Sequence, residues 1–253
     1  MAWLLQNLIE NIFLGSDMNY DVQEIAVACQ RTMRRMDTVT NNVANSGTPG
    51  FKQEYLLFLE DAAKGGVATA AGQGARESVE IDFRIGMISR TGNLFDLALN
   101  GEGFFSVQTA NGVAYTRKGD FTLDREGFLV TQSGDKVLGD GGPLRIDGRV
   151  VNFEHDGSVV VDGVSLGRLN IAGFKNMRGL KRGAGGYFQT EERATRIDAP
   201  ALRQSYLEMS NVNVIKEMVG MIDIQRTLES YQKLMQTIND EDKQSTGRVG
   251  KLV

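Results

Sequence analysis

Two stretches near the ends of the chain carry apolar residues at steps of three and four, and the long middle breaks into short apolar runs between turns. From residue 20 to 45, Val22, Ile25, Cys29, Thr32, Met36, Val39 and Val43 share one helical stripe, while Arg31, Arg34, Arg35 and Asp37 fall largely off it. Asn45-Ser46-Gly47, followed by Thr48-Pro49-Gly50, stops that helix. Near the other end Val214, Met218, Met221, Gln225, Leu228, Tyr231, Met235 and Ile238 repeat the spacing, and Ile215, Val219 and Ile222 widen the face in its first half. This second helix should begin near Ser210, with Asn211 or Asn213 as cap, because a short polar side chain satisfies the orphan N–H groups. Beyond Asn239 the chain turns polar, and residues 241–253 read as a flexible tail.

The middle reads differently. Leu97-Ala98-Leu99, Phe104-Phe105-Ser106-Val107, Phe121-Thr122-Leu123 and Phe128-Leu129-Val130 lie between turn signals such as Asn111-Gly112, Ser133-Gly134-Asp135, Asp147-Gly148, Asp156-Gly157 and Asp162-Gly163. Repeated Asn-Gly and Asp-Gly between apolar runs are the strongest short-range hairpin signal. Glycine usage agrees, since 18 of the 30 glycines fall between Gly101 and Gly186 and only three follow. Between Phe51 and Phe95 the reading is mixed: Phe51 to Leu59 suits strand or helix, Gly65 to Ala75 suits a loop, and Val79-Glu80-Ile81-Asp82-Phe83 alternates as a half-buried strand does.

A lone helix with a narrow apolar seam cannot bury it, because helices in proteins draw their stability from packing that face. The two terminal seams therefore pair with each other or with copies in neighbouring molecules. That pattern points to assembly. Residues 1–17 add a third apolar face through Trp3, Leu4, Leu5, Leu8, Ile9, Ile12 and Phe13. The segment has no basic start and no small-residue cleavage site, so it makes a poor signal peptide. It is also too short and too polar to span a bilayer. It is either an amphipathic element for a partner or membrane surface, or an extension ahead of a start at Met18.

Composition narrows the chemistry. One cysteine in 253 residues excludes an intrachain disulfide and multi-thiolate metal sites, and one histidine excludes two-His sites. The formal net charge of -4 gives no basic footprint for nucleic acid. His155, between Glu154 and Asp156, is a candidate base, but an exposed turn histidine explains it equally well. Asp120 and Asp124 are a candidate carboxylate pair that also suits a strand edge and a turn. Gly101-Glu102-Gly103 and the glycines at 183–186 lack the rest of a nucleotide loop. Asp240-Glu241-Asp242 lacks calcium-loop spacing. The expectation is no catalytic, cofactor or metal site and no small-molecule substrate; the rival classes are a carboxylate hydrolase and a β-rich binding module.

Three motifs together resemble one family. Asn41-Asn42-Val43-Ala44-Asn45-Ser46-Gly47-Thr48-Pro49-Gly50-Phe51-Lys52 is similar to the N-terminal signature of flagellar rod and hook proteins. Asp96 to Phe105 with Tyr115 to Phe121 is similar to their central signature, and Leu207-Glu208-Met209-Ser210-Asn211-Val212-Asn213-Val214 with Met218 to Ile222 to their C-terminal one. The resemblance marks Asn42, Ala44, Asn45, Thr48, Gly50, Phe51, Lys52, Ser210, Asn211, Val212 and Asn213 as motif residues. It implies an α+β fold in which N- and C-terminal helices pair as an axial coiled coil around a tube, with a central, mostly antiparallel β domain outside. The expected layout is an extension (1–17), an N-terminal axial helix (18–50), a linking segment (51–95), the β domain (96–205), a C-terminal axial helix (206–240) and the tail (241–253). The seam would comprise Val22, Ile25, Cys29, Met36, Val39, Val43, Val214, Met218, Met221, Leu228, Tyr231, Met235 and Ile238.

The same resemblance implies a subunit of the bacterial flagellar basal-body rod, a torque-transmitting hollow shaft across the periplasm. Its partners would be other rod subunits, copies of itself and the flagellar export apparatus, which takes substrates without a cleaved signal peptide. The short segment after Phe51 and Gly139-Asp140-Gly141-Gly142-Pro143-Leu144 resemble the proximal-rod type; a distal-rod or hook-type axial protein is the alternative. Thr227-Leu228 stands where the family more often has an aromatic.

Overall fold

The computed structural model describes residues 18–60 and 75–249. The expectations for residues 1–17, for the loop at 65–74 and for the tail end at 250–253 lie outside the described residues. The chain forms two compact units. A terminal unit takes in Met1–Asn41, Tyr55–Glu80 and Ile215–Val253, and a β unit takes in Asn42–Glu54 and Ile81–Val214.

In the terminal unit, helix α1 (Met18–Ala44) ends at the Asn45-Ser46-Gly47 turn, and helix α2 spans Val214–Val249. Strands β1 (Glu54–Glu60) and β2 (Ala75–Ile81) pair as a ribbon. A two-stranded ribbon is marginal in water unless something packs on it. Here Arg34 of α1 forms an ion pair with Glu77 of β2, and the Arg31 guanidinium lies 5.5 Å from the Phe58 ring centroid. Among the described side chains, Ile25 and Ile224 are the buried apolar residues of the two helices.

The β unit begins with β3 (Ile88–Arg90) and β4 (Leu97–Leu99). The main sheet comes next, with β5 (Phe104–Thr109), β6 (Gly112–Thr116), β7 (Thr122–Leu123), β8 (Leu129–Val130), β9 (Lys136–Gly139) and β10 (Gly142–Pro143). Strands β11 (Val151–Phe153), β12 (Ser158–Val161) and β13 (Val164–Arg168) form a three-stranded sheet. The main sheet resumes with β14 (Ile171–Gly173), β15 (Lys181–Arg182), β16 (Phe188–Gln189) and β17 (Thr195–Arg196). Finally β18 (Leu202–Gln204) pairs with β4, and β19 (Tyr206–Glu208) pairs with β3. These two closing pairs are antiparallel, as are the hairpins of the main sheet.

The turn signals act as their chemistry requires. Asp162 and Gly163 join β12 to β13 with φ of 49° and 82°, the positive pair that a two-residue hairpin of right-handed twist needs. The core between the strands includes Leu97, Phe105, Val107, Phe121, Leu129, Val159, Ile171 and Leu202. A second cluster gathers Phe104, Phe174, Leu180 and Phe188.

Three boundaries differ from those the sequence pattern suggests. Residues 206–208 are strand, because Tyr206, Leu207 and Glu208 continue the chain's return along β3 before any helix can start. The C-terminal helix starts at Val214 and continues through Val249, so its helical backbone extends past residue 240. That stretch has no proline, and Glu241, Lys243, Gln244 and Arg248 lose little freedom in a helix, though Gly247 favours it least. The segment 51–95 is also more than a link: it carries β1, β2 and β3, and its two ends belong to the β unit. There the Asp82 amide donates to the Gln53 carbonyl at 2.8 Å, so the chain leaves for the ribbon and returns at one place.

Candidate functional site

The most unusual chemistry lies where the chain enters and leaves the β unit. Lys52 is fully buried, Glu208 is 1% exposed and Arg117 is 4% exposed. Such residues are almost never buried unless paired. Lys52 Nζ stands 2.5 Å from Glu208 Oε1, and Arg117 Nη1 stands 3.3 Å from Glu208 Oε2. Other donors meet backbone. Lys52 Nζ also donates to the Arg84 carbonyl at 2.7 Å, and Arg117 Nη2 donates to the Gly101 carbonyl at 2.6 Å. Arg117 Nε has no hydrogen-bond partner among the described residues, and its guanidinium carbon lies 5.4 Å from the Phe104 ring centroid.

Each member arrives by a different local device. Gly50 turns the chain with φ of 65°, so close to Arg117 that an added Cβ would sit 2.4 Å from the Arg117 carbonyl carbon. Only glycine fits there at no steric cost. That turn places Phe51 and Lys52 inward. Arg117 follows β6, and Glu208 ends β19. A second arginine closes the outside: Arg182 forms an ion pair with Glu54, donates to the Lys52 carbonyl at 2.5 Å, and lies 4.3 Å from the Phe51 ring centroid. Asn42, also buried, brackets the Glu54 backbone, donating to its carbonyl at 2.9 Å and accepting from its amide at 3.0 Å.

Two cations and one carboxylate share this enclosure. Burial pushes the Lys52 ammonium below its ordinary value, against the opposing pull of Glu208. It pushes the Arg117 guanidinium down in the same way, again opposed by Glu208. A buried pair is held together by geometry more than by net gain, and removing one partner is far more disruptive than never having had it. Fully enclosed, the three groups join backbone segments.

The candidate residues of catalysis lie elsewhere. His155 is exposed, with Nδ1 3.1 Å from the Leu202 carbonyl oxygen. Asp124 accepts from the Glu126 and Phe128 amides and so holds a turn. Asp120 bridges to Asp96, and burial raises its carboxyl above the ordinary range. Among the described residues, no three His, Cys, Asp or Glu side chains gather where a metal ion could sit.

Of the motif residues, Asn42, Gly50, Phe51, Lys52 and Asn211 come together here. Asn211 is not a helix cap: it accepts from the Gln53 amide and donates to the Asp82 carbonyl, both at 2.8 Å. Asn213 directly precedes α2, and Thr48 donates to Asn45 Oδ1 at 3.3 Å. Glu208 and Arg117 stand inside the motifs but carry no local mark of their roles: Arg117 is one of three charges in Arg117-Lys118-Gly119-Asp120, and Glu208 follows the apolar Leu207 at a strand end. On the helices, Cys29, Met36, Val39 and Val43 are half-buried, as are Val214, Met221, Leu228, Tyr231 and Ile238. Met218 and Met235 are exposed, whereas Glu217 and Ile224 are buried. Val22 lies in α1, with its side chain outside the described set.

The buried charges of the β unit fasten the segment after the first helix to the segment before the last, a structural use of charge. Family models described as flagella basal body rod protein, flagellar hook protein FlgE/F/G D1 domain and flagellar basal body rod FlgEFG protein C-terminal match residues 27–52, 98–163 and 203–247. The chain is 35% identical over 238 residues to the flagellar basal-body rod protein FlgF of Caulobacter vibrioides, covering 90% of this chain and 97% of that one. This chain belongs to the flagellar basal-body rod protein family. It is also similar to FlgF of Mesorhizobium japonicum (31% over 226 residues, 86% and 93% covered) and to FlgG of Bacillus subtilis (34% over 238 residues, 82% and 90%). Lys52, Arg117 and Glu208 fall one in each of the three matched stretches.

Proposed function

We propose that this chain is a structural subunit of the flagellar basal-body rod, assembling helically with copies of itself and other rod subunits into the hollow, torque-transmitting shaft that crosses the periplasm. The observation that carries the reading is the start of α2. Its first turns are apolar on two opposite sides. Ile224 is covered within the subunit, while Ile215, Met218, Val219 and Ile222 are 77%, 50%, 55% and 50% exposed. A helix that is apolar all round belongs in a packed interior. The second face is therefore for a neighbouring subunit, and a contact that does not close on itself builds a helical polymer.

In the assembled state α1 and α2 pair as an axial coiled coil through Ile25, Cys29, Met36, Val39 and Val43 on one side and Val214, Met221, Leu228, Tyr231 and Ile238 on the other. Met218 and Met235 serve the intersubunit face. The role needs no reaction and no cofactor. The expected position is the proximal rod, supported by FlgF of Caulobacter vibrioides, which aligns over nearly its whole length. Delivery is through the flagellar export apparatus. The test is an Ile215→Asp/Ile222→Asp variant in the native host: basal bodies should stop at an incomplete rod. Complete rods and normal swimming would overturn the assignment.

A further inference from the structure

The two straps that carry the buried charges are bonded directly to each other. Gly50 donates its amide to the Glu208 carbonyl at 2.7 Å, and the Gln53 amide donates to Asn211 Oδ1 at 2.8 Å. The crosspiece at residues 82–86 ties to both. Asp82 donates to the Gln53 carbonyl at 2.8 Å, Gly86 donates to Glu208 Oε1 at 3.0 Å, and Lys52 and Asn211 both donate to the Arg84 carbonyl, at 2.7 and 3.1 Å. Packing at the crosspiece leaves no slack: a Cβ on Gly86 would lie 1.9 Å from the Met209 carbonyl oxygen.

We infer that residues 50–54 and 205–211 form one latch, seated and released together, so that both terminal helices gain or lose their anchorage in a single event. Charge enforces the coupling. If the C-terminal strap lifts alone, Lys52 and Arg117 remain enclosed as two cations without a carboxylate. If the N-terminal strap lifts alone, Glu208 loses its shorter ion pair and the Gly50 donor together. The first half-released state leaves buried charge uncompensated, the costly case for a buried pair; the second leaves Glu208 with Arg117, at 3.3 Å, as its remaining cation. Each half-released state thereby loses contacts that only the seated pair makes, and the straps become one cooperative unit. The chain runs from α1 directly into the first strap and from the second directly into α2.

Hydrogen exchange on the full-length chain tests this. Lys52→Met keeps the stem of the side chain and removes only the charge. Amides at 206–211 should exchange about tenfold faster or more, in step with those at 50–54, although the substitution lies on the other strap. Faster exchange at 50–54 alone, with 206–211 as in the parent, would overturn the latch. Should Lys52→Met fail to fold, Asn211→Ala decides, because it cuts cross-strap bonds without stranding a charge. Loosening at 50–54 together with 206–211 supports the coupling, and loosening confined to 209–213 refutes it.

Discussion

Lys52 and Glu208 stand 156 positions apart in the chain, and their charged atoms meet at 2.5 Å with neither side chain reaching solvent. The contact joins the segment that follows the first helix to the segment that precedes the last. With Arg117 it makes the fold of the β unit depend on both ends of the chain being in place.

Replacing Glu208 should therefore be among the most disruptive single changes. Glu208→Ala strands two buried cations and should destabilise the protein by about 3–5 kcal/mol. Urea unfolding of parent and variant measures the difference. A loss under about 1 kcal/mol would show that water or a rearranged carboxylate compensates the pair.

Two carboxylates give opposite responses to acid. Hydrogen bonding from Arg84, with its charge, holds the Asp82 carboxyl below its ordinary 3.8. A depressed acid supplies stability above 3.8 that is lost as the pH falls through its folded value. Asp82→Asn should thus flatten the decline in stability below about pH 4. Burial holds the Asp120 carboxyl above 3.8. Its favourable contribution is present below 3.8 and lost as the pH rises through the raised value, so Asp120→Asn should stabilise most at neutral pH. Denaturation midpoints between pH 2.5 and 7 distinguish the two; parallel shifts would refute both signs.

The two faces of α2 should separate folding from assembly. Ile224→Ala removes a buried side chain and should cost about 2–5 kcal/mol in the terminal unit. Ile222→Asp alters an exposed position and should change monomer stability by no more than about 0.5 kcal/mol while abolishing polymer growth. Circular dichroism melts and sedimentation read the two outcomes, and equal melting losses would show that both faces are covered within the monomer.

The helix–β–helix order was legible because periodicity and turn chemistry are local. Asp162-Gly163 announces its hairpin, and Val39 and Val43 announce their stripe, without knowledge of anything distant. The site was legible only in part. Lys52 stood in a recognisable motif, but its partner could not be read, since no period connects positions so far apart. Asn211 looked like a helix cap because caps and backbone brackets call for the same short amide; tertiary hydrogen bonds to Gln53 and Asp82 decided between them. Steps of three and four placed Met218 in one seam with Met221, although adjacent turns of an apolar helix offer two faces and only packing separates them. The strand at Tyr206 was hidden by its nearness to the helix, where Leu207 fits either period.

The bond from Asp82 to the Gln53 carbonyl has a consequence for how such subunits diversify. It brings together, within the β unit, the points where the chain leaves for the β1–β2 ribbon and returns from it. The closure entropy of a flexible loop grows only by about 0.6 kcal/mol for each doubling of its length. Ribbon length can therefore change by insertion or deletion with little penalty to the β unit. One scaffold could be fitted with short or long ribbons, a ready site for grafting sequence into the subunit without redesigning its core.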